Sequence, residues 1–220
     1  MRTTARRARS PLRARVWRFH PRLAARSLLA LAAVALLAWG ARAAVYSAFP
    51  IPYRAAVLQG AAAGGIDPRL VVSVMRVESR FRPGAVSGAG AVGLMQVTPP
   101  TGAWVAAQRA GNAPFEAAML RDPGYNVSVG SWYLGYLIRL FGGRVPPALA
   151  AYNAGTGPVQ RWLRSGRWDA TSGGATTIPY PETRLFVQRV LATYAIYRAL
   201  YPGLGRAGAA RPRAGGGALS

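Results

Sequence analysis

Two Asp-Pro dipeptides, Asp67-Pro68 and Asp122-Pro123, determine how most of this 220-residue chain is divided. An aspartate just ahead of a helix accepts from its free N–H groups, and a proline in the first turn is already set to helical φ. Glycine pairs supply the stops. Gly64-Gly65 ends a helix predicted from about Tyr53 to Ala63, and Gly142-Gly143 closes the long helix that Asp122 opens and that runs to Phe141. After Asp67, the residues Leu70, Val74 and Val77 fall at i, i+4 and i+7, with Val71, Met75 and Glu78 repeating that spacing beside them. Glu78 therefore borders an apolar stripe near the end of its helix, which Pro83-Gly84 is expected to stop.

The same punctuation parses the remainder. Glycines at 88, 90 and 93 make residues 85–97 an irregular loop or small hairpin. A helix restarts at Thr98-Pro99 and passes Trp104 to about Arg109; another holds Ala148 to Asn153, and a short one lies near Val159 to Leu163. Ser165–Thr177 reads as a polar loop, and Pro181 opens a last helix through Leu185, Val190 and Tyr197. The pattern is all-α around a single core. Trp104, Trp132 and Trp162 fit helix-packing positions better than ligand platforms.

Ahead of this domain, Leu23 to Trp39 is nearly all apolar, interrupted only by Arg26 and Ser27, and nine arginines crowd residues 1–26. No acid occurs before Asp67, so the charge asymmetry has the positive-inside sense. The apolar run falls between the lengths of a signal-peptide core and a spanning helix, and Ala41-Arg42-Ala43 has the form of a cleavage site, with an ill-suited arginine. An anchor and a cleaved signal both remain open; either exports the rest of the chain. The expected layout is a basic cytoplasmic tail at 1–22, an anchor or signal segment at 23–44, a linker at 45–52, a folded domain at 53–203 and a disordered Gly/Ala/Arg tail at 204–220.

With no cysteine, disulfide, thiolate and lipid-linked cysteine chemistry are excluded, and the single histidine, His20, sits in the N-terminal tail. All 28 basic residues are arginine. Between Tyr53 and Gly203, 15 arginines stand against all six acids, a net of +9. A positive domain favours encounter with an anionic polymer. The export signal and the arginine-rich composition weigh against nucleic acid as that partner.

Carboxylates are scarce. Asp67 and Asp122 serve as caps, and Glu116 and Asp169 lie in weakly patterned sequence, leaving Glu78 as the one acid on an apolar helix beside a glycine-rich loop. Partial burial and the negative end of the helix dipole both raise such a group's pKa, which suits a general acid. No second catalytic carboxylate lies near it in sequence.

Glu78-Ser79, the loop motif Gly93-Leu94-Met95-Gln96, Ala151-Tyr152-Asn153-Ala154-Gly155 and Ile178-Pro179-Tyr180-Pro181-Glu182-Thr183, in that order, resemble the catalytic domain of bacterial soluble lytic transglycosylases, over roughly residues 53 to 201. The resemblance implies a lysozyme-like α-fold with a small irregular glycine-rich loop. It implies non-hydrolytic cleavage of the β-1,4 bond between N-acetylmuramic acid and N-acetylglucosamine in peptidoglycan. Glu78 would act as acid and then base. Ser87, Gly93, Met95, Gln96, Tyr152 and Asn153 would bind substrate, with Glu182 as a substrate-site or supporting residue. Gly88 and Pro181 depart from the family pattern, the second at one subsite wall. No metal or organic cofactor is called for. The expected protein is a monomer acting on glycan strands, held to the membrane by its N-terminal segment. A hydrolytic muramidase on the same fold and a non-catalytic wall-binding module are the alternatives.

Overall fold

The computed structural model describes residues 21–110, 114–170 and 174–204; the predicted basic tail (residues 1–20 of it) and the Gly/Ala/Arg tail beyond Leu204 lie outside these. The chain divides into two compact units, Met1–Ala48 and Phe49–Ser220. Among the described residues, the first unit holds the helix α1 (Pro21–Ala48). Within it, Leu28–Ala48 is long and apolar enough to cross a membrane, a test that a signal sequence also passes. Leu28, Leu29, Leu31, Leu36, Leu37 and Trp39 are exposed. The helix overruns the predicted linker start because nothing from Ala43 to Ala48 breaks it; it stops where Phe49 precedes Pro50.

The second unit is helical: α2 (Arg54–Gly64), α3 (Pro68–Ser79), α4 (Pro99–Ala110), a 3-10 turn (Ala117–Arg121), α5 (Pro123–Leu140), α6 (Val145–Ala154), α7 (Thr156–Arg164) and α8 (Pro181–Leu200). Among the described residues there is no strand, only isolated antiparallel bridges joining Val86 to Val92 and Val92 to Val97 in the glycine loop. Both aspartate caps form: Asp67 Oδ1 accepts from Arg69 N at 2.9 Å and Asp122 Oδ1 from Tyr125 N at 2.7 Å. Asp67 also holds Arg69 in an ion pair at 2.7 Å and accepts from the Tyr194 hydroxyl at 2.8 Å, tying α3 to α8. Burial pushes the Asp67 carboxyl up, but the hydrogen bonds from Arg69 and Tyr194 outweigh it and hold the group below its usual range.

α3 ends earlier than predicted. It stops at Ser79, where Arg80 and Phe81 take left-handed φ of 52° and 64°. Arg80 N closes on Arg76 O at 3.2 Å and Arg82 Nε donates to Ser79 O at 3.1 Å, satisfying the last carbonyls without waiting for Pro83. Glu78 thus sits in the final turn.

α5 runs through the core with Val127, Val129, Leu134 and Leu137 buried; α2, α4 and α6 pack on it, while α3 and α6 pack on α8. The contact between α2 and α5 is unusually close because both are glycine at the crossing: a Cβ on Gly64 or Gly135 would overlap backbone atoms of the other helix. The predicted linker residues Phe49 to Pro52 belong to this unit. Tyr201 donates to Phe49 O at 2.7 Å and Tyr197 to Pro50 O at 2.8 Å, and the Arg76 guanidinium lies 4.5 Å from the Phe49 ring centre. At the other end Leu204, expected in the tail, is 4% exposed. The described residues of the predicted loop at 165–177 form no helix or strand and are anchored by buried Trp168, whose Nε1 donates to Gly174 O at 2.8 Å.

Gly135→Ala sets helix propensity against packing. Alanine gains about 1 kcal/mol in a helix, whereas its methyl would press on the Gly64 carbonyl. Overpacking costs about 1–3 kcal/mol, and backbone cannot swing aside. The expected outcome is a net loss of about 1–2 kcal/mol, read as a Tm lower by roughly 3–8 °C in thermal unfolding followed by circular dichroism.

Candidate active site

The site begins with a polar residue inside an apolar helix face. Asn126 on α5 is fully buried and uses its whole amide. Oδ1 accepts from Met95 N at 2.8 Å, and Nδ2 donates to Val92 O at 2.8 Å and to Leu120 O at 2.9 Å. It therefore clamps the glycine loop to α5. From the other side, the buried Ser79 hydroxyl donates to Leu94 O at 2.9 Å and Met75 O at 3.1 Å. Tyr152 on α6 donates to Met95 O at 2.8 Å. Three helices hold consecutive peptide groups of one loop, and Glu78 is the neighbour of one of the clamping residues.

These bonds revise several expected roles. Gly93 is buried with φ +82°, and a Cβ there would meet Asn126 Cγ and Leu120 O at 2.7 Å; the small residue admits the asparagine, not a sugar. Met95 has no exposed surface, so it cannot touch a substrate directly. Gln96, at φ 48°, donates through Nε2 to Gly93 O at 2.9 Å and Ala85 O at 3.1 Å. Both of its amide protons thus brace the loop, leaving the carbonyl oxygen as its open group. The Ser87 hydroxyl accepts from Ala91 N at 3.0 Å at the turn of the loop, and no hydrogen bond among the described residues joins it to Glu78.

Glu78 is partly buried and makes no hydrogen bond or ion pair among the described residues. Burial, and secondly the charge of Glu182, push its carboxyl up to about 7. Glu182, on the first turn of α8, is the second carboxylate that the linear sequence hid: 104 positions separate it from Glu78, and the fold brings the two into electrostatic reach. The Tyr152 hydroxyl is held well above its ordinary value by burial, then by the charge of Glu78, then by Tyr133. Asn153 is exposed, and its Oδ1 accepts from the Thr183 hydroxyl at 2.7 Å, so α6 is joined to α8 beside Glu182. Its amide protons face outward from that bond. Asn153, Tyr180, Pro181, Glu182 and Thr183 line a cleft of about 320 Å³. Tyr180, 49% exposed, supplies an aromatic wall next to the departure at Pro181.

The arrangement combines a protonatable acid, a second carboxylate, a braced backbone loop and amide groups. Such a set of groups can exchange a proton and hold a polar ligand by hydrogen bonds. No group of three or more His, Cys, Asp or Glu side chains that could hold a metal exists among the described residues.

Residues 56–172 match the family model for the transglycosylase SLT domain. The chain belongs to this family. The SLT match takes in Glu78, the glycine loop and Tyr152-Asn153, while Glu182 lies beyond it on α8. The soluble lytic murein transglycosylase of Escherichia coli K12 is 35% identical over 152 residues, 68% of this chain and 23% of that protein. The membrane-bound lytic murein transglycosylase C of Actinobacillus pleuropneumoniae (strain L20) is 39% identical over 114 residues, 48% of this chain and 31% of the relative. Among solved structures, an inactive mutant of the lytic transglycosylase Slt from Pseudomonas aeruginosa superposes with a TM-score of 0.63 at 36% identity, covering 69% of this chain and 24% of that one. The 70-kDa soluble lytic transglycosylase of Escherichia coli gives 0.66 at 32% identity, covering 74% and 26%. The present chain thus spans about a quarter of the length of these soluble relatives. The SLT fold with its lysozyme-like helical core is as expected from the motifs.

Sequence reasoning missed Asn126 and Ser79. The available signal for Asn126 was a polar side chain in register with Gly130, Leu134 and Leu137 on the buried face of α5. Trp104 packs on α5 through Trp132, Tyr133 and Tyr136 while keeping 37% of its surface exposed, and Trp162 is buried at 5%.

Two measurements check the site without an activity assay. Asn126→Ala strands the Met95 N–H and two carbonyls in the core, and should cost about 2–4 kcal/mol in urea unfolding. For Glu78, a folded-state pKa near 7 against a reference of 4.5 means that the native state retains a proton the unfolded chain releases. Stability therefore falls as pH rises from about 4.5 to 7. Glu78→Gln should match wild type near pH 4 and be more stable by on the order of 2–3 kcal/mol at pH 8. A Tm difference that does not change with pH would contradict the desolvated carboxyl.

Proposed function

We propose that this chain is a peptidoglycan lytic transglycosylase, tethered to the membrane by α1 with its catalytic domain outside the cytoplasm. The observation that carries the reading is the unpaired Glu78 carboxyl with its pKa raised to about 7, beside the braced glycine loop. A group so poised is protonated often enough to act as acid and basic enough to take a proton back.

In the proposed reaction Glu78 gives its proton to the glycosidic oxygen as the bond from C1 of N-acetylmuramic acid to N-acetylglucosamine breaks. The substrate's own acetamido oxygen closes on C1. The Glu78 carboxylate then removes the C6 hydroxyl proton, O6 attacks C1, and the acetamido group leaves. The products are a 1,6-anhydro end and a free 4-hydroxyl, with Glu78 reprotonated and no water consumed. Asn153, through its outward amide protons, and the Gln96 carbonyl are assigned to the substrate's acetamido and hydroxyl groups. Tyr152 and Met95 position the loop, and Ser87 keeps its hydroxyl proton to donate to substrate.

The membrane assignment is supported by Leu28–Ala48, which is about 31 Å long at 1.5 Å per residue, matching a hydrocarbon core of about 30 Å. The membrane-bound relative is consistent with it. A monomer is the simplest form, since every group invoked lies on one chain.

A second reading has one observation in its favour. Glu182 supplies a second carboxylate near Glu78, and a pair of carboxylates is what a hydrolytic muramidase uses. Glu182 is exposed and on the first turn of α8, where the helix dipole favours its charge, so a role in tuning Glu78 is preferred. Mass spectrometry of digested sacculi separates the two: anhydro-muropeptides support transglycosylation, and products heavier by one water support hydrolysis. Glu78→Gln should lower the release rate by about 10²–10⁴-fold while sacculus binding persists in a pull-down. Wild-type protein that binds sacculi and releases nothing would make the chain a wall-binding module.

A further inference from the structure

Tyr180 lines two clefts: the one that holds Asn153 and Glu182, and a wider one of about 560 Å³ that the reaction above does not use. The other residues around the wider cleft are Arg161, Trp162, Arg164, Ser165 and Arg167. Local structure explains why three arginines share it. Arg161 and Arg164 stand in the last turn of α7. Ser165 closes that helix, its hydroxyl donating to Arg161 O at 2.8 Å, and Gly166 turns the chain at φ 68°. Trp168 N then donates to Trp162 O at 3.2 Å, with both indoles buried, which folds Arg167 back toward the helix end that carries the other two. One wall is rigid, because the Trp162 and Tyr180 rings meet in a T-shaped pair at 4.6 Å.

We infer that this cleft binds a phosphate ester, its phosphate held by the guanidinium groups of Arg161, Arg164 and Arg167 and its organic part lying against the Tyr180 ring. In a chain with 28 arginines a single exposed one means little. Three in one concavity are a different matter. All three are exposed, none of their guanidinium groups has a hydrogen-bond, ion-pair or ring partner among the described residues, and no acid lines the cleft. Like charges one turn apart on a helix repel. The negative end of α7 offsets that repulsion for Arg161 and Arg164, but Arg167 lies beyond the helix. An anion supplies the compensation that the cluster lacks. A phosphate offers three outer oxygens to three planar forks, whereas a carboxylate offers two oxygens and a single charge. A bare ion fills little of 560 Å³, which leaves room for the ester group beside the half-exposed Tyr180. Two sources share this chemistry, a lipid headgroup and a soluble or polymer-borne phosphate. Neither depends on whether Glu78 cleaves glycan.

The test titrates the full-length chain, in phosphate-free detergent micelles at fixed ionic strength, with glycerol 3-phosphate and follows binding by calorimetry. Arg161→Gln, Arg164→Gln and Arg167→Gln should each weaken binding roughly five- to tenfold, and the triple variant should show no saturable binding. A control triple, Arg54→Gln, Arg121→Gln and Arg189→Gln, removes as much charge from exposed positions that do not line the cleft, and should bind as wild type does. An equal loss in the control triple overturns the site, since the attraction is then that of the whole positive domain. No saturable binding to wild type overturns it too, as does glycerate, with a carboxylate in place of the phosphate, bound as tightly as glycerol 3-phosphate. Should the cleft triple not fold, the single variants decide: unchanged affinity in all three overturns the proposal. Dihexanoyl-phosphatidylglycerol, titrated in the same way, reads the source. Tighter binding than glycerol 3-phosphate, lost in the cleft triple, supports a lipid headgroup; weaker binding supports a soluble or polymer-borne phosphate. Sacculus cleavage enters none of these measurements, so the phosphate site and the glycan-cleaving reading fail separately.

Discussion

The buried Asn126 amide is the contact on which the candidate site depends. An irregular, glycine-rich loop carries no ladder of its own, so its backbone N–H and C=O groups need partners from elsewhere once buried. Asn126 supplies three such bonds, two of them to the loop, and Ser79 and Tyr152 satisfy the carbonyls of Leu94 and Met95. Each bond is worth about 1 kcal/mol net, but each group left unmet in the core would cost about 1–3 kcal/mol. That asymmetry gives the loop one conformation. The left-handed φ at Gly93 and Gln96 persist because α3, α5 and α6 hold the peptides on either side.

The same scaffold explains the electrostatics of Glu78. A domain with 15 arginines would ordinarily offer a carboxylate a partner. Arginines close in sequence to the two carboxylates are committed elsewhere: Arg76 lies over Phe49, Arg82 donates to Ser79 O, and Arg184, two residues from Glu182, donates to Ile178 O at 2.8 Å. Burial then acts on Glu78 without a compensating cation, and Glu182 adds charge of the same sign. The contrast with Asp67 is instructive. It too loses solvent, yet the Arg69 backbone N–H and guanidinium and the Tyr194 hydroxyl hold it ionised. One acid serves the helix junction and the other stays free to exchange a proton.

Much of the helical layout was legible because it is local physics. Asp67 and Asp122 cap as their Asp-Pro context predicts, and Gly65 ends α2 with φ 67°. Boundaries slipped where a tertiary partner replaced the local signal. α3 stops at Ser79 because Arg80 and Phe81 turn left-handed under side-chain capping, and Phe49–Pro52 joins the domain because Tyr197 and Tyr201 bond its carbonyls. Site residues divide in the same way. Glu78, Tyr152 and Asn153 were singled out as candidates by the motifs that surround them, whereas the structural duties of Gly93 and Met95 required knowing that Asn126 and Tyr152 stand opposite them.

By itself the sequence determined the helices, the apolar segment ahead of them, the absence of thiol chemistry and the scarcity of acids, all of which depend on residue type and on neighbours within a few positions. Only the tertiary structure decided which carboxylates are coupled, which loop peptides are clamped, and that Trp104, packed on Tyr133 and Tyr136, keeps 37% of its surface exposed. Electrostatic coupling and burial act through space, and the coupling of Glu78 to the charge of Glu182 joins segments whose separation along the chain carries no record of their distance.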